Sequence, residues 1–139
     1  MKFATKMFAI AVTMLPLLAT AQLGQSQKLV TNVPFAFRVG QKLIPAGQCV
    51  VERTGTIGHL LLVRNFEAKT SQFVLPRASG NAVSSTNALV FHKYGDRYFL
   101  AGIKIQGSDS NYQIPESKAE AEVQAANVTA PQEVLLALK

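Results

Sequence analysis

The segment LVFHKYGDRYFLAGIKI, residues 89–105, decides the fold of this chain. Two runs rich in aromatic and β-branched residues flank Gly95-Asp96, and a two-residue loop that begins with glycine suits a type II′ hairpin turn. We therefore predict two antiparallel strands, 88–94 and 97–106. The cross-strand pairs that follow from this loop are Tyr94–Arg97, His92–Phe99 and Phe91–Leu100.

Both faces of this hairpin are largely apolar. The first face is predicted to carry Leu89, Phe91, Tyr98 and Leu100, and the second to carry Val90, His92, Tyr94, Phe99 and Ile103. A strand pair that is apolar on both faces needs cover on both of them. We therefore expect the hairpin to lie inside a sheet rather than at its edge.

Short extended segments separated by turn signals make up most of the remaining chain. Pro45-Ala46-Gly47 predicts a turn, because proline presets φ and glycine accepts a positive φ. A second turn is predicted between Gly55 and Gly58. The polar segment 77–87 has no apolar period, so we expect a loop there. The predicted extended segments are 32–39, 42–44, 48–53, 59–64, 70–75 and 112–115.

This series of short strands predicts a mainly β fold, a small antiparallel barrel or sandwich of six to seven strands with one short C-terminal helix. The pattern does not decide between barrel and sandwich. Ser117-Lys118-Ala119-Glu120 fits a capping box, in which Ser117 caps the first turn and the Glu120 side chain reaches back to it. The helix is expected to continue to Ala126 and to end at Asn127.

An apolar C-terminal tail, residues 127–139, follows the predicted helix. Thr129 could cap a second short helix with Pro131 in its first turn. The segment Val134–Leu138 is strongly apolar and cannot remain in water without cost. We expect it to pack back on the domain, to pair as an extra strand or to meet a partner.

The first 21 residues have the pattern of a secretory signal peptide. Met1–Lys6 is basic, Met7–Leu18 is almost wholly apolar, and Ala19-Thr20-Ala21 supplies the small residues of a cleavage site. The apolar stretch is short for a membrane span, although a retained N-terminal anchor is the alternative. We predict cleavage near Ala21, a secreted or periplasmic location, and a β-rich domain over residues 22–126.

Charge and composition exclude some functions. Without residues 1–21, 12 basic residues face 8 acidic ones, a net charge of +4. These basic residues are scattered, so nucleic-acid binding is not expected, whereas weak attraction to an anionic cell surface is an open alternative. With signal cleavage, no transmembrane span is expected.

Cys49 is the only cysteine, so no internal disulfide can form. It stands in a β-like run with Val50-Val51, where a free cysteine commonly behaves as a small buried hydrophobe. A catalytic thiol and an intermolecular disulfide are the alternatives. Both are disfavoured, because the neighbouring sequence is neither electropositive nor rich in histidine.

Candidate binding residues stand close to the central turn, and they are His92, Tyr94, Asp96 and Arg97. Tyr94 and Arg97 also fit a cross-strand stacking pair, and Asp96 with Arg97 fits a charge pair in the turn. No catalytic residue and no metal site is predicted, because His59 and His92 are far apart and no metal-binding spacing is present. No cofactor is predicted either, since no glycine-rich phosphate loop precedes a helix.

Four motifs together resemble a known group of proteins. They are VPFAFRVG (33–40), LIPAGQCVVER (43–53), LVFHKYGDRYFLAGI (89–103) and IPESKAEAE (114–122). In this order they are similar to small, functionally uncharacterised secreted proteins abundant in acidobacterial genomes. The resemblance implies a secreted β-rich domain and no particular activity. Cys49 stands where the related turn-strands often have tyrosine, so no role for it carries over.

Two functions from different classes remain. The first is a non-catalytic binding or structural module of the cell envelope, whose partner is an envelope polymer, a lipid or a protein. An exposed row of aromatic side chains would favour it. The second is a hydrolase-like enzyme using His92 and Asp96, which requires those side chains to meet in a cleft. The aromatic residues considered are Phe35, Phe37, Phe66, Tyr94, Tyr98 and Tyr112.

Overall fold

The computed structural model describes residues 28–54, 60–80, 83–107, 111–127 and 129–138. The predicted signal peptide and the predicted turn at Gly55–Gly58 lie outside these ranges. In chain order the described elements are β1 (Lys28–Val33), β2 (Phe37–Val39), β3 (Lys42–Ile44), β4 (Gly47–Thr54), β5 (Leu60–Asn65), β6 (Thr70–Val74), β7 (Arg77–Ser79), β8 (Ala88–Tyr94), β9 (Arg97–Lys104), β10 (Asn111–Gln113), α1 (Lys118–Ala126) and β11 (Gln132–Ala137).

The predicted mainly β class with one short helix is confirmed within the described part of the chain. The structure divides this part into eleven strands rather than six or seven. Four of them, β2, β3, β7 and β10, have only three residues. Such short strands are difficult to recognise in a sequence, because three residues hardly establish an alternating pattern.

The strands form two sheets that do not close into a barrel, an arrangement consistent with a sandwich. The first sheet has the order β1-β4-β5-β6. The second has the order β11-β8-β9-β10-β7, and β2 joins it by pairing with β9 and with β3. Inward side chains of both sheets share one core, in which Val51 and Val63 of the first sheet meet Leu89 and Phe91 of the second.

The central hairpin, β8 and β9, has the predicted register, with Tyr94 opposite Arg97, His92 opposite Phe99 and Phe91 opposite Leu100. Gly95 has φ of +63°, whereas Asp96 has no positive φ, as a type II′ turn requires. Both strands lie inside their sheet, as predicted.

A bulge in the hairpin changes one predicted side-chain direction. The register shifts between Val90 and Phe91, so that Val90 pairs with Gly102 and Leu89 pairs with Ile103. The extra residue is Ala101, and it reverses the alternation beyond it. Ile103 therefore faces the core with Leu89, and its predicted place on the outer face is wrong.

The first predicted extended segment, 32–39, is divided between the two sheets. Pro34 ends β1 of the first sheet, and the chain resumes as β2 of the second. Phe35 bridges this crossing by stacking on Tyr98, with ring centroids 3.8 Å apart, and Phe37 packs edge-on against Phe91 at 5.1 Å. These aromatic contacts thus hold the crossing segment against the second sheet.

The C-terminal tail is part of the second sheet. Residues 132–137 form β11, which pairs with β8 in antiparallel register from Lys93 to Ala88. The predicted second short helix after Thr129 is wrong, and the alternative of an extra strand is correct. Val134 and Leu136 pack against the core, which explains the apolar character of this segment.

The polar segment 77–87 is more ordered than predicted where the structure describes it. Arg77–Ser79 forms β7 at the edge of the second sheet, and Ser84 forms an isolated bridge with Gln106.

The described residues form no helix with the length and apolar character that a membrane span requires.

Candidate functional site

The carboxylate of Glu120 joins α1 to the central hairpin. Its Oε1 lies 2.7 Å from Nδ1 of His92 and accepts a hydrogen bond from the Tyr94 hydroxyl at 3.1 Å. The Glu120 side chain is only 6 % exposed. Two polar partners on one oxygen offset the cost of removing this carboxylate from water.

Only one of the two hydrogen bonds of the predicted capping box is formed at this helix. Ser117 caps α1, and its hydroxyl accepts a hydrogen bond from the Glu120 backbone N–H at 3.2 Å. The Glu120 side chain does not return to Ser117 but extends to the hairpin. Its place in the first turn favours a negative charge, because the free N–H groups of a helix start point toward it.

Apolar side chains pack next to the hydrogen bonds of Glu120. Val123 and Ala119 of α1 pack against Tyr94 and Phe99, which form their own buried cluster on the outer face of the second sheet. The rings of Tyr94 and Phe99 meet edge to face at 5.7 Å. The helix is therefore held by one charged anchor and one small apolar contact.

Tyr94 acts as a hydrogen-bond donor rather than as an acid or base. Burial raises its pKa to about 12, and the negative charges of Glu120 and Glu116 act in the same direction. The phenol thus keeps its proton throughout the neutral range. The Tyr94 hydroxyl can therefore donate its hydrogen bond to Glu120 at neutral pH.

A trough of about 820 Å³ opens on the outer face of the second sheet, beside His92. Its floor consists of the small residues Ala88, Val90, Ala101 and Gly102. β11 borders one side, since Leu135 and Glu133 lie opposite Val90 and His92. These small side chains create the trough, because larger ones at the same positions would fill it.

The ends of the trough are polar. His92, Glu116 and Glu120 lie at the end next to α1, and the segment 84–86 contributes serine and threonine side chains elsewhere on the rim. His92 is the most accessible member of the anchor, with 36 % of its side chain exposed. With Nδ1 held by Glu120, its other ring nitrogen is the one left for a ligand.

The structure brings only some of the predicted binding residues together. His92 lines the trough, and Tyr94 is buried beneath α1. Asp96 and Arg97 are exposed at the turn and do not line the trough. In the described residues the carboxylate partner of His92 is Glu120, and no hydrogen bond joins His92 to Asp96. Nor does Tyr94 stack on Arg97, since its ring packs against Phe99.

Sequence reasoning missed Glu120 as a site residue. The signal lay in the helix pattern, where Glu120 falls between Ala119 and Val123 on the only apolar stripe of α1. A carboxylate on the buried side of a helix requires a partner. That partner, however, could be identified only from the tertiary structure.

Cys49 is a buried core residue, as predicted. It pairs across the first sheet with Thr31 and Asn65 and is 1 % exposed. Burial raises the pKa of its thiol to about 11, although backbone hydrogen bonds act in the opposite direction. The thiol is thus uncharged at neutral pH, which makes it a poor nucleophile.

Most of the aromatic residues that could have formed an exposed binding row are core residues. Phe37, Tyr94 and Tyr112 are buried, and Phe35 and Tyr98 pack against the core. Phe66 is the exception, because it is exposed at the β5–β6 turn. It lies on the first sheet, whereas the trough lies on the second.

Among the described residues, no group of three or more histidine, cysteine or acidic side chains could hold a metal ion.

Comparison of the chain with models of protein families, with curated proteins and with solved structures found no match.

Proposed function

We propose that this protein is an exported, non-catalytic binding domain of the cell envelope that holds its ligand in the trough beside His92. The observation that carries the proposal is the trough itself, whose volume of about 820 Å³ is in the range of ligand sites. It lies on a rigid sheet, and α1 is fixed at its end by Glu120. Such a site is ready for a ligand without rearrangement.

The trough favours an envelope polymer over a lipid or a protein as the ligand. Its ends and rim supply carboxylates, an imidazole and hydroxyl groups, which accept and donate hydrogen bonds. Its floor is an apolar strip formed by Ala88, Val90, Ala101 and Gly102. Hydroxyl-rich sugar rings match this combination, because they offer many hydrogen-bonding groups and weakly apolar faces.

The surroundings of His92 support the proposed non-catalytic role. Within the described residues its hydrogen-bond partner is the Glu120 carboxylate, and no hydroxyl or thiol is hydrogen-bonded to it as a nucleophile would be. The single thiol, Cys49, is buried in the core.

The proposed export rests on the sequence of residues 1–21, with its basic start, its apolar stretch and its Ala-x-Ala end. Intact-mass measurement of the protein from the producing cells tests this part. A chain that begins near Gln22 supports export, and a full-length chain in the cytoplasm contradicts it.

Binding is tested by titrating the ¹⁵N-labelled protein with soluble fragments of the envelope polysaccharides and recording amide shifts. We expect shifts near Val90, His92 and Ala101. The variant Val90→Arg fills the floor and should abolish them, whereas the control Leu43→Arg, at an exposed position on β3, should bind normally. Shifts that persist in Val90→Arg, or none in the wild-type protein, would contradict the proposal.

A second candidate function is a hydrolase centred on His92, and the His92–Glu120 contact at 2.7 Å is the observation that favours it. In such a hydrolase the group that orients the imidazole of His92 would be Glu120, and not Asp96 as the sequence predicts. His92 would accept a proton from a water molecule as its oxygen attacks the ester carbonyl carbon in the trough. It would then return that proton to the alcohol oxygen that leaves when the acyl C–O bond breaks. Hydrolysis of ester substrates that is lost in His92→Gln but retained in Asp96→Asn would establish it.

A further inference from the structure

An exposed aromatic patch lies on the outer face of the first sheet, away from the trough. Phe66 is 50 % exposed, Phe73 is 55 % exposed and Leu75 is 67 % exposed. Phe73 lies directly opposite Leu62, and both belong to the face turned away from the core. Three large apolar side chains on one hairpin and its extension are unusual on a surface without a partner.

Basic side chains lie close to the Phe66 ring. The guanidinium carbon of Arg64 lies 5.0 Å from the centre of the Phe66 ring, and Nζ of Lys28 lies 5.8 Å from it. Lys69 is exposed in the same turn. We call Phe66, Phe73 and Leu75, with Lys28, Arg64 and Lys69, the Phe66 patch.

Two acids lie near the Phe66 patch and do not cancel its positive charge. Glu52 is paired with Arg64, with 3.4 Å between the nitrogen and the oxygen, and Glu67 is exposed in the turn. Three cations therefore lie beside two carboxylates, a net charge of +1. The Glu52–Arg64 pair leaves Lys28 and Lys69 beside Glu67. Most of the acidic charge lies elsewhere on the domain.

The distribution of acids distinguishes the two outer faces. Of the seven acidic residues in the described ranges, four lie on or beside α1 and on β11, and these are Glu116, Glu120, Glu122 and Glu133. Three of them line the trough. Lys104 is the only described lysine or arginine in that lining, so the lining of the trough has a net acidic charge, whereas the Phe66 patch is apolar and basic.

We propose that the Phe66 patch docks the domain on an anionic phospholipid bilayer. Phe66 and Phe73 enter the headgroup region, and Lys28, Arg64 and Lys69 lie beside the lipid phosphates. The long stems of the basic residues allow their charges to remain at the level of the phosphates while the rings insert. Since the trough opens on the other outer face, the docked domain presents it away from the bilayer. This docking does not depend on which ligand the trough binds.

The absence of tryptophan from the chain allows a direct test. The variant Phe73→Trp places a unique fluorophore in the Phe66 patch, and it is mixed with vesicles of phosphatidylcholine with or without phosphatidylglycerol. We expect a blue shift of emission with the anionic vesicles, reduced by added salt. The matched control is Leu135→Trp, an exposed position on β11, which should show no shift.

Co-sedimentation with the same vesicles gives an independent measurement. The variant Phe66→Ser/Phe73→Ser should lower partitioning at least about tenfold, because the inserted apolar area is lost. A circular-dichroism spectrum and a thermal unfolding midpoint close to those of the wild-type protein show that this variant is folded. An unshifted Phe73→Trp spectrum, an equal shift in Leu135→Trp, or a shift that grows with protein concentration without vesicles would overturn the proposal, the last by indicating a second copy on the patch.

Discussion

Nδ1 of His92 on β8 lies 2.7 Å from Oε1 of Glu120 on α1, and the latter carboxylate is almost fully buried. The contact connects the trough to the helix that borders it. The His92 ring faces the trough, and the Glu120 carboxylate is enclosed by Tyr94 and α1. The shape of the proposed site therefore depends on an interaction that also stabilises the fold.

Replacement of Glu120 should destabilise the protein. In Glu120→Ala the Tyr94 hydroxyl loses its acceptor in a buried site, and we expect the free energy of unfolding to fall by about 1–3 kcal/mol. Urea unfolding followed by circular dichroism measures this change. Glu122→Ala, on the exposed side of the same helix, is the control and should change the free energy little. Equal effects of both substitutions would show that Glu120 is not an anchor.

The raised pKa of Tyr94 predicts a loss of stability at high pH. The folded protein holds the phenolic proton up to about pH 12, whereas the unfolded chain releases it near pH 10. Between these values the unfolded state binds fewer protons, so the free energy of unfolding falls as pH rises. The contribution is fully present below pH 10, and its loss is on the order of 2 kcal/mol.

Tyr94→Phe isolates this effect from other groups that titrate in the same range. Urea unfolding of both proteins at several alkaline pH values should show a smaller decline for Tyr94→Phe. Parallel declines would mean that Tyr94 ionises as freely in the folded protein as in the unfolded chain.

Gly102 has a steric reason to be glycine. A Cβ at this position would lie 2.9 Å from the carbonyl oxygen of Tyr112 on the neighbouring strand. Gly102→Ala should therefore destabilise the domain by about 1–3 kcal/mol. Gly80→Ala is the matched control, because a Cβ there meets no atom within 4 Å. Thermal unfolding midpoints that fall equally in both variants would contradict this packing.

The Cys49 thiol should react slowly with a disulfide reagent in the native protein. It is buried, and burial raises its pKa to about 11, so little thiolate is present or accessible. Reaction followed by absorbance should become fast only after unfolding in guanidinium chloride. Fast reaction of the native protein would place the thiol at the surface.

The central hairpin was predictable because its information is local. Gly95-Asp96 specifies the turn, and the turn specifies the register of His92 with Phe99. The bulge at Ala101 is not predictable, since nothing in the sequence marks the extra residue. Simple alternation therefore predicts the wrong face for Ile103. The start of α1 at Ser117 was likewise a local signal, and it is confirmed.

The candidate site was only partly predictable because its parts are distant in the chain. The sequence indicates His92 as a candidate, whereas Asp96 and Arg97 are its neighbours in sequence and do not line the trough. The residue that meets His92 is Glu120, 28 positions away. The tail posed the same problem: Val134–Leu138 is equally apolar as a helix or as a strand, and the open edge of β8 decides for a strand.

Native mass spectrometry of the protein purified from the envelope of the producing cells tests the central claim most directly, with Val90→Arg purified in parallel. We predict that the wild-type protein carries an additional mass that fragments as a glycan, and that the Val90→Arg protein is folded and lacks it. A wild-type protein of bare mass, or an identical additional mass on both proteins, would contradict a binding function for the trough.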